Sequence, residues 1–111
     1  GGDLVVEGTF RGITLKAVVR RGEHLPESQQ QFRLMSYFPG EWNQTPDDCR
    51  GRGWDKCGSW SWIAERSGDR GLGMAGYGPG GTYLVVLSSA ATDFERLRPG
   101  MRAIQSSMRL K

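Results

Sequence analysis

The chain has 111 residues, and 15 Lys and Arg residues against 12 Asp and Glu residues give it a net charge of +3. This length predicts one domain with a modest core. No apolar run approaches the roughly 18 residues of a membrane helix, and a charge this mild argues against a strongly basic nucleic-acid-binding protein. We find no signal peptide. Because the chain starts Gly-Gly-Asp rather than with Met, we expect residues 1–111 to be a single domain, either a mature form after cleavage or one domain of a longer protein.

The first two predicted elements are strands at residues 4–10 and 13–21. In the second, apolar Ile13, Leu15 and Ala17 alternate with more polar residues, which is typical of a half-buried antiparallel strand. The Arg-Gly pair between the segments predicts a hairpin turn.

A loop and a third strand are predicted next. Residues 22–30 are polar and contain a proline, so they are predicted to form a loop. Residues 31–38, QFRLMSYF, alternate again and are predicted to form a strand that ends at the Pro39-Gly40 turn.

A long loop is predicted from that turn to Gly58. The stretch has no periodicity and is rich in Gly, Asp and Arg, with two embedded tryptophans. Aperiodic loops of this length are uncommon in compact domains and tend to be functional or cross-linked.

Three further strands are predicted at residues 59–66, 72–78 and 82–90. Turn sequences separate them, so they should form a meander of consecutive hairpins. The last of them is apolar on both faces, which predicts a central position in the sheet.

The C-terminal segment changes to a helical period. One apolar stripe is spaced 3, 4, 3 and 4 residues apart, at Phe94, Leu97, Met101, Ile104 and Met108. Thr92 and Glu95 fit a capping box. Pro99 either kinks one helix or starts a second one. The predicted fold is therefore α+β, an antiparallel sheet of about six strands with a C-terminal amphipathic helix packed on one face.

Catalytic, metal and cofactor chemistry is not favoured by the residues present. The single histidine, His24, lies in a polar loop, although a Ser/His or Cys/His system needs a positioned histidine base. Zinc would need a mixed set from the two cysteines and Asp47, Asp48 and Asp55, and calcium prefers alternating oxygen ligands. A hydrolase that uses loop carboxylates, the three aspartates or Glu41, stays open as an alternative. We predict no metal, no cofactor and no catalytic residue.

The glycine-rich run GLGMAGYGPGG at residues 71–81 contains a G-x-G-x-x-G pattern. A dinucleotide-binding motif of this kind must end a strand and open a helix. Here another predicted strand follows, so the glycines indicate a bulge or a closely packed neighbour.

The long loop supplies the candidate binding residues. Trp60 and Trp62 share one strand face and are predicted to pack in the core against the helix. Aromatic and Arg side chains on a loop can contact a protein or polar ligand. The predicted contact residues are Trp42, Arg50, Arg52, Trp54 and Asp55.

Cys49 and Cys57 both lie in this loop, and we predict a disulfide between them. Closing a loop of about nine residues contributes roughly 2.5 kcal/mol by chain entropy. Such a bridge persists in oxidising compartments, which predicts an extracytoplasmic location.

The C-terminal half resembles the end of PsbP/Mog1-like domains. The similarity lies in the final strand, the small-residue link and the Ile104, Ser107 and Arg109 tail, and YFPGEW at residues 37–42 is similar to a Pro/Trp segment of that family. The long segment before YFPGEW and the cysteine loop depart from the family. The resemblance implies an α+β fold and a non-enzymatic accessory role at the cell envelope.

The sequence therefore predicts a non-catalytic, extracytoplasmic binding or accessory domain whose contact surface includes residues 41–58. A protein or cell-envelope component is the predicted partner. Anion or nucleic-acid binding is the further alternative, and it would use Arg96, Arg98, Arg102 and Arg109.

Overall fold

The computed structural model describes residues 3–46 and 55–108 of the chain, with side chains for residues 4–46 and 57–108. Within these residues, one antiparallel sheet has six strands in the order β1-β2-β6-β5-β4-β3. The strands are β1 (Asp3–Phe10), β2 (Ile13–Arg21), β3 (Gly40–Thr45), β4 (Asp55–Ala64), β5 (Arg70–Gly78) and β6 (Gly81–Ser89). The helices are α1 (Glu27–Tyr37) and α2 (Phe94–Ser107). The predicted α+β class and the six-stranded antiparallel sheet with a C-terminal helix are confirmed.

The hairpin of β1 and β2 forms where the sequence predicts it. Both turn residues have positive φ, 50° at Arg11 and 83° at Gly12. Two consecutive left-handed residues make the tight turn whose twist matches that of the two strands. Phe10 therefore pairs directly with Ile13, and the whole of β1 follows in register.

The predicted strand at residues 31–38 is wrong, because this segment belongs to helix α1. Its buried residues are Gln30 and Leu34, four positions apart, and they are followed by the buried Phe38 at the helix end. This spacing is helical, but a polar side chain occupies one of the inward positions and hides the stripe. The residue before Glu27 is Pro26, whose fixed φ suits a helix start.

The third strand comes instead from the predicted long loop. β3 (Gly40–Thr45) pairs with β4 throughout, with Trp42 opposite Trp62. β4 also begins earlier than predicted, at Asp55, and a register irregularity separates Asp55 from Gly58. The aperiodic segment is therefore shorter than the sequence predicts.

The meander of β4, β5 and β6 is confirmed, as is the central position of β6. The glycine-rich run is strand β5, followed by a turn and another strand. At Gly73 a Cβ atom would lie 2.5 Å from the Trp42 ring. This glycine therefore leaves room for a packed neighbour, as the pattern predicts.

Helix α2 runs without interruption from Phe94 to Ser107, so Pro99 lies inside one helix. The predicted capping box is wrong. A short 3-10 helix (Ala91–Asp93) precedes α2, which places Thr92 before the cap, and the helix start has no side-chain capping bond.

Two buried clusters use alternate residues of the central strand. Val86 belongs to a cluster with Leu34 of α1, and Leu87 belongs to a cluster with Met101 of α2. Successive strand residues point to opposite faces of a sheet. Trp60 is buried and Trp62 is half-buried, and both lie in the cluster with α1 rather than in the one with α2.

Candidate functional site

Most of the predicted contact residues lie outside the described residues. This applies to Arg50, Arg52 and Trp54, and also to Cys49. Asp55 is the first residue of β4, and its side chain is likewise outside the described part of the chain. The Cys49–Cys57 disulfide therefore stays a prediction.

Trp42 is described, and its ring is in the core rather than displayed for contact. The residue is 6% exposed, and its ring stacks on that of Trp62 with 5.6 Å between centroids. Its Nε1–H donates to the backbone oxygen of Phe38 at 3.0 Å. The prediction that Trp42 presents its indole to a partner is thus corrected. The sequence pattern misleads because Trp42 is in a strand and not in a loop.

Cys57 lies half-buried on β4. It packs against a small cluster formed by Met74 and Val85, on the face opposite that of Leu34. Its sulfur atom therefore lies near apolar side chains of the sheet.

The carboxylates that a hydrolase would need are spread out or outside the described residues. Within residues 3–46 and 55–108, no group of three or more His, Cys, Asp or Glu side chains is placed to hold a metal ion. Asp47 and Asp48 are not described, and Glu41 is exposed on β3. His24 is exposed too, and its ring stacks on Tyr77.

The C-terminal arginines have acidic neighbours. Arg96 forms an ion pair with Asp93 at 3.2 Å, and Arg98 approaches Glu95 at 3.8 Å. All four side chains are largely exposed, so each pair is weak. The pairing nevertheless lowers the net positive charge along α2. Arg109, the last residue of the predicted anion site, is outside the described residues.

A groove lies between α1 and the outer strand β3. It has a volume of about 590 Å³. We call it the α1–β3 groove, and its lining residues are Gln31, Met35, Gly40, Glu41, Trp42, Ile63, Ala64 and Glu65. A shallower pocket on α1, lined by Ser28, Gln31, Phe32 and Met35, extends it along the helix.

Large apolar side chains are exposed along this groove. Phe32 is 73% exposed, Met35 40% and Ile63 39%. Phe32 and Met35 are three residues apart, so they lie on the same side of α1. Ile63 follows Trp62 along β4, so its side chain lies on the sheet face opposite α1. Phe32 and Met35 therefore form the exposed apolar pair on the α1 side, and exposed apolar surface can mark a protein-interaction site.

The backbone of β3 has an open edge beside the groove. The N–H of Glu65 donates to the oxygen of Pro39 at 3.1 Å, so these two residues form a hydrogen-bonded pair. Bonded pairs alternate along antiparallel strands. In the register of β3 and β4, the backbone groups of Gly40, Trp42 and Gln44 therefore point away from the sheet. No other segment in the described part of the chain pairs with them.

Polar contacts hold α1 in place. Arg20 of β2 donates to the Tyr37 hydroxyl at 2.8 Å and pairs with Glu23, which also binds Arg33 at 3.0 Å. Desolvation lowers the pKa of Arg20, but hydrogen bonds to Glu23 and Tyr37 raise it, and the net direction is upward. Arg20 therefore keeps its charge at any physiological pH. On the groove side, Trp60 Nε1–H donates to Gln31 at 3.2 Å.

A second cavity of about 310 Å³ lies beyond the end of α1, where Lys16, Tyr37, Trp62 and Arg66 are among the lining residues. The Nε1–H of Trp62 is buried and has no hydrogen-bond partner within the described residues. A Cβ atom on Gly40 would lie 2.7 Å from that nitrogen. Because this nitrogen is almost inaccessible, it cannot donate to a molecule in the cavity.

The residues that line the exposed part of the groove were not found from the sequence. The sequence pattern predicts a strand at Phe32 and indicates no functional role for Met35. The available signal was the Pro26-Glu27 start followed by glutamines, which have good helix propensity. On a helix that begins there, Gln30 and Leu34 face inward and Phe32 and Met35 face outward.

The chain can be compared with protein-family models and with curated proteins. No protein-family model matches it, and no curated protein is similar to it at a significant level. The resemblance to PsbP/Mog1-like domains therefore stays a prediction. Neither helix in the described part of the chain is long and apolar enough to cross a membrane.

Proposed function

We propose that this chain is a non-catalytic binding or accessory domain that contacts a protein partner through the α1–β3 groove and the adjoining 41–58 segment. The observation that carries the proposal is the exposure of Phe32 and Met35 of α1 beside an open strand edge. Burying such side chains against a partner is favourable by about 25 cal/mol per Å² of apolar area. A helix held by the Arg20 network offers these side chains on a fixed frame.

The open edge suggests how a partner binds. An extended segment can add to β3 through the outward backbone groups of Gly40, Trp42 and Gln44. Alternate side chains of that segment then point toward α1, where Met35 and Phe32 offer apolar contacts. The backbone bonds supply affinity, and the groove supplies preference among side chains.

The charge of the groove favours a basic partner segment. Its ionisable lining residues are Glu41 and Glu65, in a chain whose net charge is +3. Complementary charge at a rim mainly speeds association and selects partners. The proposed ligand is therefore an extended segment with alternating apolar residues and at least one Lys or Arg.

The proposal includes the extracytoplasmic location and the Cys49–Cys57 disulfide. The bridge would join the start of β4 to the segment after β3, at the end of the two strands that is far from Gly40 and Ala64. It would limit the conformations of that segment and so lower the entropy cost of binding. The similarity of the C-terminal half to envelope accessory domains agrees with this location. We also propose that α2 covers the sheet face opposite α1 permanently.

A display library of random twelve-residue peptides tests the function directly. The immobilised domain should enrich peptides with alternating apolar residues and Lys or Arg. Phe32→Ser and Met35→Ser should each weaken binding of an enriched peptide by about tenfold or more, the range typical of a residue that anchors an interface. Ser36→Ala, on an exposed α1 position that does not line the groove, is the matched control.

Strand addition has its own variant. Gln44→Pro removes an N–H that points away from the sheet, and Pro is tolerated at such edge positions. This variant should have the same thermal unfolding midpoint as the wild type and should no longer bind the peptide. Selected peptides that bind all three variants as tightly as the wild type would rule out the groove as the contact surface.

A further inference from the structure

β1 forms the edge of the sheet opposite β3, and β2 is its one neighbour in the described chain. All its described side chains are exposed. Four of them are large and apolar: Leu4 at 45%, Val5 at 62%, Val6 at 47% and Phe10 at 65% exposed. Proteins usually protect such edges with Pro, Lys, bulges or a covering segment. β1 contains no Pro or Lys, and its pairing with β2 has no bulge.

The backbone groups on the outer side of β1 can be identified. Gly22 N–H donates to Gly80 O at 3.1 Å, so these residues are a hydrogen-bonded pair between β2 and β6. By alternation, even-numbered residues of β2 bond to β6 and odd-numbered residues bond to β1. The register of β1 and β2 then leaves residue 3, Val5, Glu7 and Thr9 with outward N–H and C=O groups.

We propose that β1 pairs antiparallel with β1 of a second copy of this chain, about a two-fold axis at Val6. In this register the backbone of Val5 forms hydrogen bonds with the backbone of Glu7 of the other copy, and the backbone of residue 3 does the same with that of Thr9. Each pair exchanges two hydrogen bonds, so every outward group in β1 gains a partner. The two sheets become one continuous sheet, and the contact is the same surface on both copies, as two-fold symmetry requires.

The charge on β1 selects this register. A shift of two residues in one direction places Glu7 opposite Glu7 of the other copy, and like charges directly opposite are destabilising. A shift in the other direction leaves the outward groups of Thr9 unpaired. The register centred at Val6 avoids both costs. The pairing therefore satisfies the outward backbone groups of both copies and avoids a Glu7–Glu7 contact.

The apolar side chains are complementary in the same register. Val6 faces Val6 of the other copy in a non-hydrogen-bonded pair, where side chains come closest. Leu4 lies opposite Gly8, and a Cβ atom at Gly8 would have no neighbour within 4 Å. Beside Gly8 is an apolar groove of about 270 Å³, whose walls include Val6, Phe10 and Ile104. The second copy's Leu4 thus has space and apolar neighbours.

A charge-swap experiment at the two-fold axis tests the dimer and its register together. Sedimentation equilibrium of the wild type should show a monomer–dimer equilibrium at concentrations up to about 1 mM. Val6→Asp and Val6→Lys place like charges opposite each other in a homodimer, so each variant alone should be monomeric. An equimolar mixture should form a heterodimer. Val6→Thr, which keeps the β-branched shape, should remain dimeric.

Val5→Pro gives a second test that does not add charge. It removes an outward N–H that has no bond within the described residues, so the fold should persist while dimerisation weakens by at least tenfold. Circular dichroism confirms that each variant is folded. A wild type that stays monomeric up to about 1 mM would overturn the proposal. A dimer that survives both Val6→Asp and Val5→Pro would overturn it as well, and failure of the mixed variants to associate would overturn the register.

Discussion

At the residue scale, the packing of the sheet face under α1 depends on a tryptophan ring that lies over a glycine. The ring of Trp42 occupies the space above Gly73, where a Cβ would lie 2.5 Å from it. The same ring stacks on Trp62 and bonds Phe38. It therefore has little freedom to move away. The glycine pattern alone predicts a close neighbour, but not which residue fills the space, because that depends on the position of β3.

Gly73→Ala should destabilise the protein by about 1–3 kcal/mol, the usual cost of overpacking a well-packed core. The measurement is urea unfolding followed by tryptophan fluorescence, with the slope unchanged and the midpoint lowered. An unchanged midpoint would mean that Trp42 does not sit over Gly73.

Gly100→Ala is the matched control and should have the opposite sign. Gly100 is inside α2 and exposed, and its added Cβ would meet Ile13 at an ordinary 3.5 Å. Ala is favoured over Gly in a helix interior by up to about 1 kcal/mol. We expect a higher urea midpoint. A lower one would show that α2 is closer to Ile13 than described.

At the element scale, the sequence predicts the strands whose apolar residues alternate regularly. It does not predict the helix in which a polar residue is buried and apolar residues are exposed. β1, β2 and the β4–β6 meander follow alternation and turn residues, so their existence could be predicted. α1 could not, because Gln30 is buried while Phe32 and Met35 are exposed. A local pattern that fails is expected where a surface has a function. Residues 31–38, which the sequence pattern wrongly predicts as a strand, supply the helical side of the proposed binding groove.

The two helical methionines give a stability prediction at this scale. Met101 of α2 is completely buried, and Met35 of α1 is 40% exposed. Met101→Ala should cost about 2–5 kcal/mol because it leaves a cavity beside Leu87. Met35→Ala should change stability by less than about 0.5 kcal/mol, as for most surface positions. Equal effects in thermal unfolding would contradict the proposed role of α2 as a cover.

At the scale of the whole molecule, the described residues form one sheet with buried clusters on both faces and an open strand at each edge. The fold class follows from composition and period, but the strand number agrees only because the wrongly predicted strand at 31–38 is offset by the unpredicted β3. The site depends on which strands lie at the edges. β3 takes one edge because α1 turns the chain there, and no short-range pattern shows this. Trp42, predicted as a contact residue, is therefore buried. The proposed contact surface is formed instead by exposed residues of α1 and by the outer backbone edge of β3.

The proposed compartment gives a prediction for the intact chain. Titration of freshly purified, denatured, non-reduced protein with a thiol reagent should find no free thiol, because Cys49 and Cys57 are bridged. After reduction both should react, and the unfolding free energy should fall by roughly 2–3 kcal/mol from the added chain entropy. Two reactive thiols before reduction would contradict both the bridge and the argument for an extracytoplasmic location.

The most direct test of the binding proposal is an NMR titration with a peptide enriched by the library. The amides of Gly40, Trp42 and Gln44 should shift saturably and become protected from hydrogen exchange, because they gain bonds to the peptide. The Met35 methyl signal should shift with them, while Val5 at the opposite edge should not. Saturable binding that leaves these three amides unshifted and unprotected would contradict the central proposal that a partner segment adds to β3 in the α1–β3 groove.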